Sequence, residues 1–339
     1  MTRSTGGKAT ISDVARAAGV STATVSRALN DSSKVTEATK KKVEQAVRST
    51  GFVMNAQGRA LAVGRAESIG ILVTEPLDEI FVDPTFSVIL RGISEALAQT
   101  PFLPVIVQAS TEFERERALR HFQRRSVDAV IDISPYTGDE VLEALSTMSL
   151  PVVLCGQLDD PRFEGVFSNV YADDEEGARI AGKAMLDRGR RRIGAILGPE
   201  DNPASVDRLV GYREVLGDAL APDGVVFAEA WDAAAGYAAA RQILAKVPDL
   251  DGILAGSDRI ASGVLDELEV RGISVPDTIS VIGFDDHAVA QATTPPLTTV
   301  RQPLREEGGV AAQIAIDMIE GAHPRTVVMH TELIERDSL

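Results

Sequence analysis

The chain has one cysteine, one tryptophan and four histidines among 339 residues, and aromatic side chains make up only 4% of it. A single thiol, Cys155, excludes any internal disulfide. Set in the apolar run PVVLCG, it reads as a small core residue rather than a reactive group. Four scattered histidines and that cysteine form no cluster at metal-ligand spacing, so neither a metal nor a cofactor is expected. No apolar run approaches the roughly 18 residues that a membrane-spanning helix needs. The N-terminal MTRSTGGKAT also lacks the apolar stretch of a secretory signal. The expectation is a cytoplasmic protein with no membrane partner.

What the sequence has in excess is acid, with a formal net charge of −16, but the charge is unevenly spread. Residues 1–65 hold eleven Lys/Arg against four Asp/Glu, whereas the remainder holds 23 against 46. A polyanion partner therefore belongs to a small basic module, and the acidic bulk is repelled from DNA. The length and the 44% apolar content suit two or three domains with sizeable cores.

The basic module has a helical rhythm. Thr10, with Asp13 three residues on, opens a helix over roughly Ser12 to Ala18, and Gly19 permits a tight turn. Ser21 caps a second helix through about Leu29, with Val25 and Leu29 turned inward and Thr22, Ala23, Ser26 and Arg27 on the open face. Thr36 caps a third helix, EATKKKVEQAVRST, with Val43 and Val47 inside and Gly51 as its stop. Three short helices joined by tight turns make a helix-turn-helix head.

From Ser68 the pattern changes. Runs such as IGILVT, LPVIVQA, DAVIDI, PVVLCG, RIGAILG, GILAGS and ISVIGFD alternate with helical stretches such as FSVILRGISEALAQ, GARIAGKAMLDRG and RLVGYREVLGDAL. Apolar strands separated by amphipathic helices predict parallel sheets covered on both faces. Some 270 residues exceed one comfortable core, which predicts two doubly wound lobes with a ligand cleft between them. The C-terminal TVVMHTELIERDSL reads as a last strand and a short tail, without leucine heptads for a coiled coil.

From Thr10 to about Leu333 the motifs TISDVARAAGVSTATVSRALN, VTEATKKKVEQAV, SIGILV, RLVGY, GSD, GISVPDTISVIGFDD and PPLTTVRQP occur in order. This ordered series resembles the lactose-repressor/galactose-repressor (LacI/GalR) family of transcription regulators. The resemblance implies an all-α DNA-binding head over residues 1–54 and a hinge helix and linker over 55–66. Residues 67–339 would form a periplasmic-binding-protein-like body that binds effector and dimerises.

On this resemblance, Thr22 and Ala23 choose bases and Arg27 reads a guanine edge, where a fork of donors meets two acceptors. Ser21, Thr24, Ser26, Asn30, Thr36 and Thr39 match positions that contact phosphates or fix the helix on the backbone. Asn55 to Val63 match the hinge helix, and Leu61 the leucine wedged into the minor groove at the operator centre. Met54 stands where proline is common. Gly58 falls inside the presumed helix, where glycine costs about 1 kcal/mol relative to alanine.

In the body, Arg208 and Asp285 match the positions that hold the ligand's polar groups. Trp231 matches an aromatic that stacks on a sugar ring, and also suits a partly buried core site. Ser257 stands beside Asp258 in place of the more usual asparagine. Thr74, Phe86 and Gln302 complete the implied lining. Gly156 departs most clearly, because many members place a ligand-binding aspartate there; its loss is compatible with a smaller, phosphorylated or differently held effector.

The resemblance implies a homodimer on a palindromic operator, released by a sugar or sugar derivative. A corepressor-type regulator and a responder to a purine or other non-sugar ligand remain open on the same residues. An enzyme is not expected, since Asp285 and Asp286 have no partner nucleophile, metal cluster or phosphate-cradling loop.

Overall fold

The computed structural model describes residues 9–29, 34–52, 65–136, 140–158 and 160–339. The chain divides into two compact units, Met1–Glu67 and Ser68–Leu339. The first holds α1 (Ile11–Ala18), α2 (Thr22–Leu29) and α3 (Glu37–Thr50). The Asp13 carboxylate accepts from both the backbone N–H of Thr10 (2.9 Å) and its hydroxyl (2.7 Å), which fixes the start of α1. Gly19 and Gly51 end α1 and α3 at φ 67° and 64°, in the left-handed region that glycine adopts without strain. Val14, Ala15, Val25, Val43 and Ala46 form the small core, with Leu29 and Val47 half-buried against it.

The second unit has two six-stranded sheets. Its strands are β1 (Ser68–Val73), β2 (Leu103–Gln108), β3 (Ala129–Asp132), β4 (Val152–Cys155), β5 (Ser168–Ala172), β6 (Ile193–Leu197), β7 (Leu220–Phe227), β8 (Gly252–Ala255), β9 (Ser280–Asp285), β10 (Thr298–Arg301), β11 (Thr326–Met329) and β12 (Glu332–Ile334). The first sheet has the order β11-β5-β4-β3-β1-β2 and is wholly parallel. The second has the order β12-β10-β9-β8-β6-β7, parallel except for the antiparallel pair β10/β12.

Helices α4 (Leu77–Val82), α5 (Pro84–Leu97), α6 (Glu112–Gln123), α7 (Glu140–Ser146) and α13 (Leu304–Ile319) belong to the first lobe. Helices α8 (Asp174–Asp187), α9 (Pro203–Leu216), α10 (Ala233–Lys246), α11 (Asp258–Val270) and α12 (Ala288–Ala292) belong to the second. The chain passes between lobes after β5, after β10 and after β11, so neither lobe is a continuous segment. Each sheet has a buried apolar cluster on either face, as strands covered on both sides require. No helix among the described residues is long and apolar enough to cross a membrane.

The C-terminus differs from the expected single strand and short tail. TVVM adds to the edge of the first sheet beside β5, and ELI adds to the second beside β10. The remaining tail is pinned rather than loose. The Ser338 hydroxyl accepts from Thr298 N–H (2.8 Å) and donates to the Val281 carbonyl (2.6 Å), and Leu339 packs into the core. A run of β-forming residues is thus divided by His330 and Thr331, where it passes from one lobe to the other.

Helices α10 and α11 lie close because glycine stands at both contact points. A Cβ on Gly236 would overlap the Ile260 backbone, and one on Gly263 would overlap the Ala233 carbonyl. Gly263→Ala is therefore expected to force the pair apart and destabilise the unit by about 1–3 kcal/mol. A lower urea midpoint at unchanged slope would register that loss; an unchanged midpoint would refute it.

Candidate effector cleft and DNA-reading face

In the head, Ser21 caps α2: its hydroxyl oxygen accepts from Thr24 N–H (3.1 Å) and lies 2.8 Å from the Thr24 hydroxyl. Thr36 caps α3 in the same way, accepting from Thr39 N–H at 3.4 Å with the two hydroxyls 2.9 Å apart. Thr22, Ala23 and Arg27 are exposed on α2, with Ala23 and Arg27 one turn apart, while Thr24 and Ser26 are half-buried. Val25 is fully buried beneath them. The helix thus presents one polar and basic edge while its apolar edge is held by the core. Lys41 and Lys42 are exposed on α3. Asn30, Asn55 and Leu61, with Met54 and Gly58, lie outside the described residues.

In the second unit, a cleft of about 370 Å³ lies between the lobes. Phe86, Arg208, Trp231, Ser257, Asp285 and Gln302 all reach its wall. Arg208, on the second turn of α9, is 4% exposed. Its Nε donates to Asp174 Oδ1 at 2.8 Å, and Nη1 donates to the Gly256 carbonyl at the end of β8. Its guanidinium carbon stands 3.8 Å from the centroid of Phe284 and 5.6 Å from that of Trp231. Nη2, 4.0 Å from Asp285 Oδ1, keeps donors for a ligand.

Asp285 ends β9 at φ 107°, a conformation costly for a residue with a Cβ and typical of side chains aimed by function. It accepts from Gln302 Nε2 at 2.7 Å. Burial pushes its carboxyl above the ordinary range, against the pull of His287 and Arg208. Ser257 caps α11, accepting from Ile260 N–H at 3.1 Å, which leaves its own hydroxyl proton to donate. The half-buried Trp231 has two environments: it lines the cleft, and it lies so close over Gly198 that a Cβ there would strike the indole.

Two expected residues do not reach the wall. Asp258 is fully buried and turned away, accepting from His287 N–H (2.7 Å) and the Thr299 hydroxyl (2.6 Å). It ties the loop after β9 to β10 and leaves contact with the cleft to its neighbour Ser257. Thr74 instead donates to the Ser134 carbonyl at 2.9 Å, and it is Ser134 that faces the cleft.

Gly156 does line the cleft, at φ 138°, and a Cβ there would come 2.9 Å from Pro135 Cγ. An aspartate cannot be accommodated in this conformation without moving Pro135.

Sequence reading missed the acidity of the wall. Glu75, Glu79, Asp83, Asp174, Glu229, Asp285 and Glu307 line the cleft, and Arg208 and Arg259 are the basic residues beside them. Glu75, Glu79 and Asp83 lie close together in sequence, but the other four are far from them and from one another, and only the lobes bring them together. One was legible: Glu307 sits among Leu304, Gly308, Ala311 and Ala312 on the inner stripe of α13, a charge on an apolar face. Tyr136 and Asn202 were also missed. Tyr136 donates to Glu75 Oε1 (2.6 Å) and accepts from Asn202 Nδ2 (3.2 Å), joining the lobes, and burial and Glu75 hold its phenol well above the usual range. Arg259 joins them again, donating to Asp83 Oδ2 at 2.9 Å.

Residues 10–55 match the family described as "Bacterial regulatory proteins, lacI family", and residues 183–339 match "Periplasmic binding protein-like domain". The HTH-type transcriptional regulator CelR of Thermobifida fusca is 33% identical over 338 residues, covering 97% of this chain and 98% of its own. A solved complex of the transcriptional regulator CelR with cellobiose is 32% identical, with a TM-score of 0.76 over 98% of this chain and all of that one. The Lac repressor dimer bound to operator and the anti-inducer ONPF shares the fold, with a TM-score of 0.83 over 98% and 99% of the two chains at 23% identity. A three-helix head joined to such a cleft defines a ligand-responsive DNA-binding regulator. The chain belongs to the lacI family of bacterial regulatory proteins.

Glu307 gives this cleft a measurable pH signature. Burial, aided by the Asp174 charge, pushes its carboxyl up from the ordinary 4.5 to about 8. In the unfolded chain the same carboxyl loses its proton above about pH 4.5. Rising pH therefore favours unfolding by ~1.4 kcal/mol per pH unit until the native group also ionises near 8. Glu307→Met should remove this term, so the variant's gain in melting temperature over wild type grows from pH 5 to pH 8. A gap that stays constant over that range would show that Glu307 does not titrate this way.

Proposed function

We propose that this protein is a cytoplasmic transcriptional repressor that binds a palindromic operator as a homodimer and is released when a non-phosphorylated sugar or sugar derivative fills the cleft. The observation that carries the reading is the juxtaposition of Arg208 and Asp285 on the wall of the cleft, where a fork of donors lies 4.0 Å from a carboxylate acceptor, as vicinal hydroxyls require. Among the described residues, seven wall carboxyls against two arginines oppose a phosphate group. On α2, Thr22, Ala23 and Arg27 would choose bases, while Ser21, Thr24, Ser26, Thr36 and Thr39 would position the helix on phosphates. The hinge roles of Asn55 and Leu61, and a phosphate contact by Asn30, belong to the same reading. The domain boundaries of this reading are 1–54, 55–66 and 67–339.

One module reads too few base pairs for a unique site, so a two-fold pair on a palindrome is the economical geometry. A surface suited to pairing is present. The edge strand β2 exposes Leu103 (68%) and Ile106 (55%), and Phe113 on α6 is 67% exposed, where isolated sheet edges usually carry charge. Ile106→Glu is expected to give monomers in sedimentation and to weaken operator binding. A variant that stays dimeric at low micromolar concentration would place the interface elsewhere.

The central experiment selects the operator from a random DNA pool with the purified chain and then measures its affinity with and without sugars. Weaker binding with ligand identifies induction, and tighter binding identifies corepression and overturns the proposed direction. Arg27→Ala should lose about 1–3 kcal/mol of discrimination at one base pair of each half-site. Unchanged base preference would remove Arg27 from the reading set.

A further inference from the structure

Among the described residues three carboxyls are buried at the cleft, those of Asp174, Asp285 and Glu307, and one buried guanidinium, Arg208, lies near the first two. Arg208 is bonded to Asp174 and stands 4.0 Å from Asp285, which also accepts from Gln302. The second wall arginine, Arg259, is occupied by Asp83 at 2.9 Å. Glu307 is 4% exposed and opens on the cleft, yet its carboxyl has neither a hydrogen bond nor an ion pair among the described residues. A buried carboxyl without a partner is costly, and native proteins meet such a group with a proton, a donor or a cation.

Without a ligand at neutral pH that partner is the proton Glu307 retains, and a ligand donor or cation can take its place. A phosphate would add to the repulsion, and a hydroxyl would supply one donor but leave the excess negative charge in place. An ammonium group brings the absent positive charge and offers only donors, which form charge-assisted hydrogen bonds to carboxylates. We infer that the effector is an amino-substituted sugar, its ammonium group seated on Glu307 and its hydroxyls held by Arg208 and Asp285. The inference rests on the cleft being the effector site and assigns Glu307 as the residue that selects the amine. The same amine blocked by an acetyl group loses the charge and with it the preference.

The test is calorimetric titration of the full chain at pH 7 with D-glucosamine, D-galactosamine, D-mannosamine and the β-1,4-linked disaccharide of glucosamine. Each is compared with its N-acetyl and plain hydroxyl counterparts. At least one amine should bind about tenfold or more tightly than both counterparts. Glu307→Gln, which keeps the shape, and Glu307→Met, which suits the apolar face of α13, should each abolish that preference once cooperative unfolding shows them to be folded. A neutral or acetylated sugar that binds as tightly as its amine overturns the assignment and leaves the cleft as effector site. An amine preference that survives in the folded variants does the same. If no sugar of either kind binds protein that still holds its operator, both the amine and the sugar reading fall.

Discussion

Burying an arginine costs several kcal/mol unless its charge and donors are met, and the ligand-binding unit is organised around one that is. Arg208 is met from four directions: by the Asp174 carboxylate at the start of α8, the Gly256 carbonyl after β8, and the ring faces of Phe284 and Trp231. These contacts draw together the ends of elements from across the second lobe and leave one edge of the guanidinium open to the cleft. The same side chain offsets the charge of Asp174, which otherwise adds to the field on Glu307. Loss of the guanidinium would strand a buried carboxylate, a change usually worth 3–5 kcal/mol. Fold and site therefore share this group.

The lobes are held by two kinds of restraint. Of the three chain crossings between the lobes, those after β5 and after β11 are joined by the Asp173 N–H to Met329 carbonyl bond at 2.9 Å. Across the cleft, Asp83 meets Arg259, Tyr136 meets Asn202, and Thr85 lies 3.4 Å from His287. Partly exposed contacts of this kind contribute about 0–1 kcal/mol each. A ligand that prefers one lobe arrangement a hundredfold contributes about 2.7 kcal/mol. The two are comparable, so ligand binding is large enough to decide the arrangement, and neither restraint is strong enough to fix it beforehand.

Much of this architecture was written in local patterns. The head helices follow from caps and glycine stops, and strands such as IGILV and SVIGFD from unbroken apolar runs covered on both faces. Strands β5, β7 and β10 were not visible in that way. SNVYA alternates polar residues, and LAPDGVVF carries Pro-Asp-Gly at its centre, where its pairing with β6 shifts register. At the site, the resemblance implied Arg208, Asp285, Trp231, Ser257, Phe86 and Gln302 as cleft lining, and all six reach the cleft. It could not separate Ser257 from Asp258, because which of two adjacent side chains faces a cavity depends on the turn that starts α11. Acids from positions 75, 83, 174 and 307 become one electrostatic surface only through tertiary folding.

Glycine at position 156, where the resemblance implies an aspartate, fits this surface. Pro135 occupies the space that a side chain at 156 would need, and the loop carrying Pro135 also delivers Tyr136 to Glu75 and Asn202. A carboxylate absent from the end of β4 is matched by one buried on α13, which packs against that same strand. A carboxyl at a loop end can turn with solvent, whereas Glu307 is fixed on a helix stripe packed against β3, β4 and β5. Selectivity set from that position is rigid, because any ligand that fails to satisfy the group leaves its burial cost unrelieved.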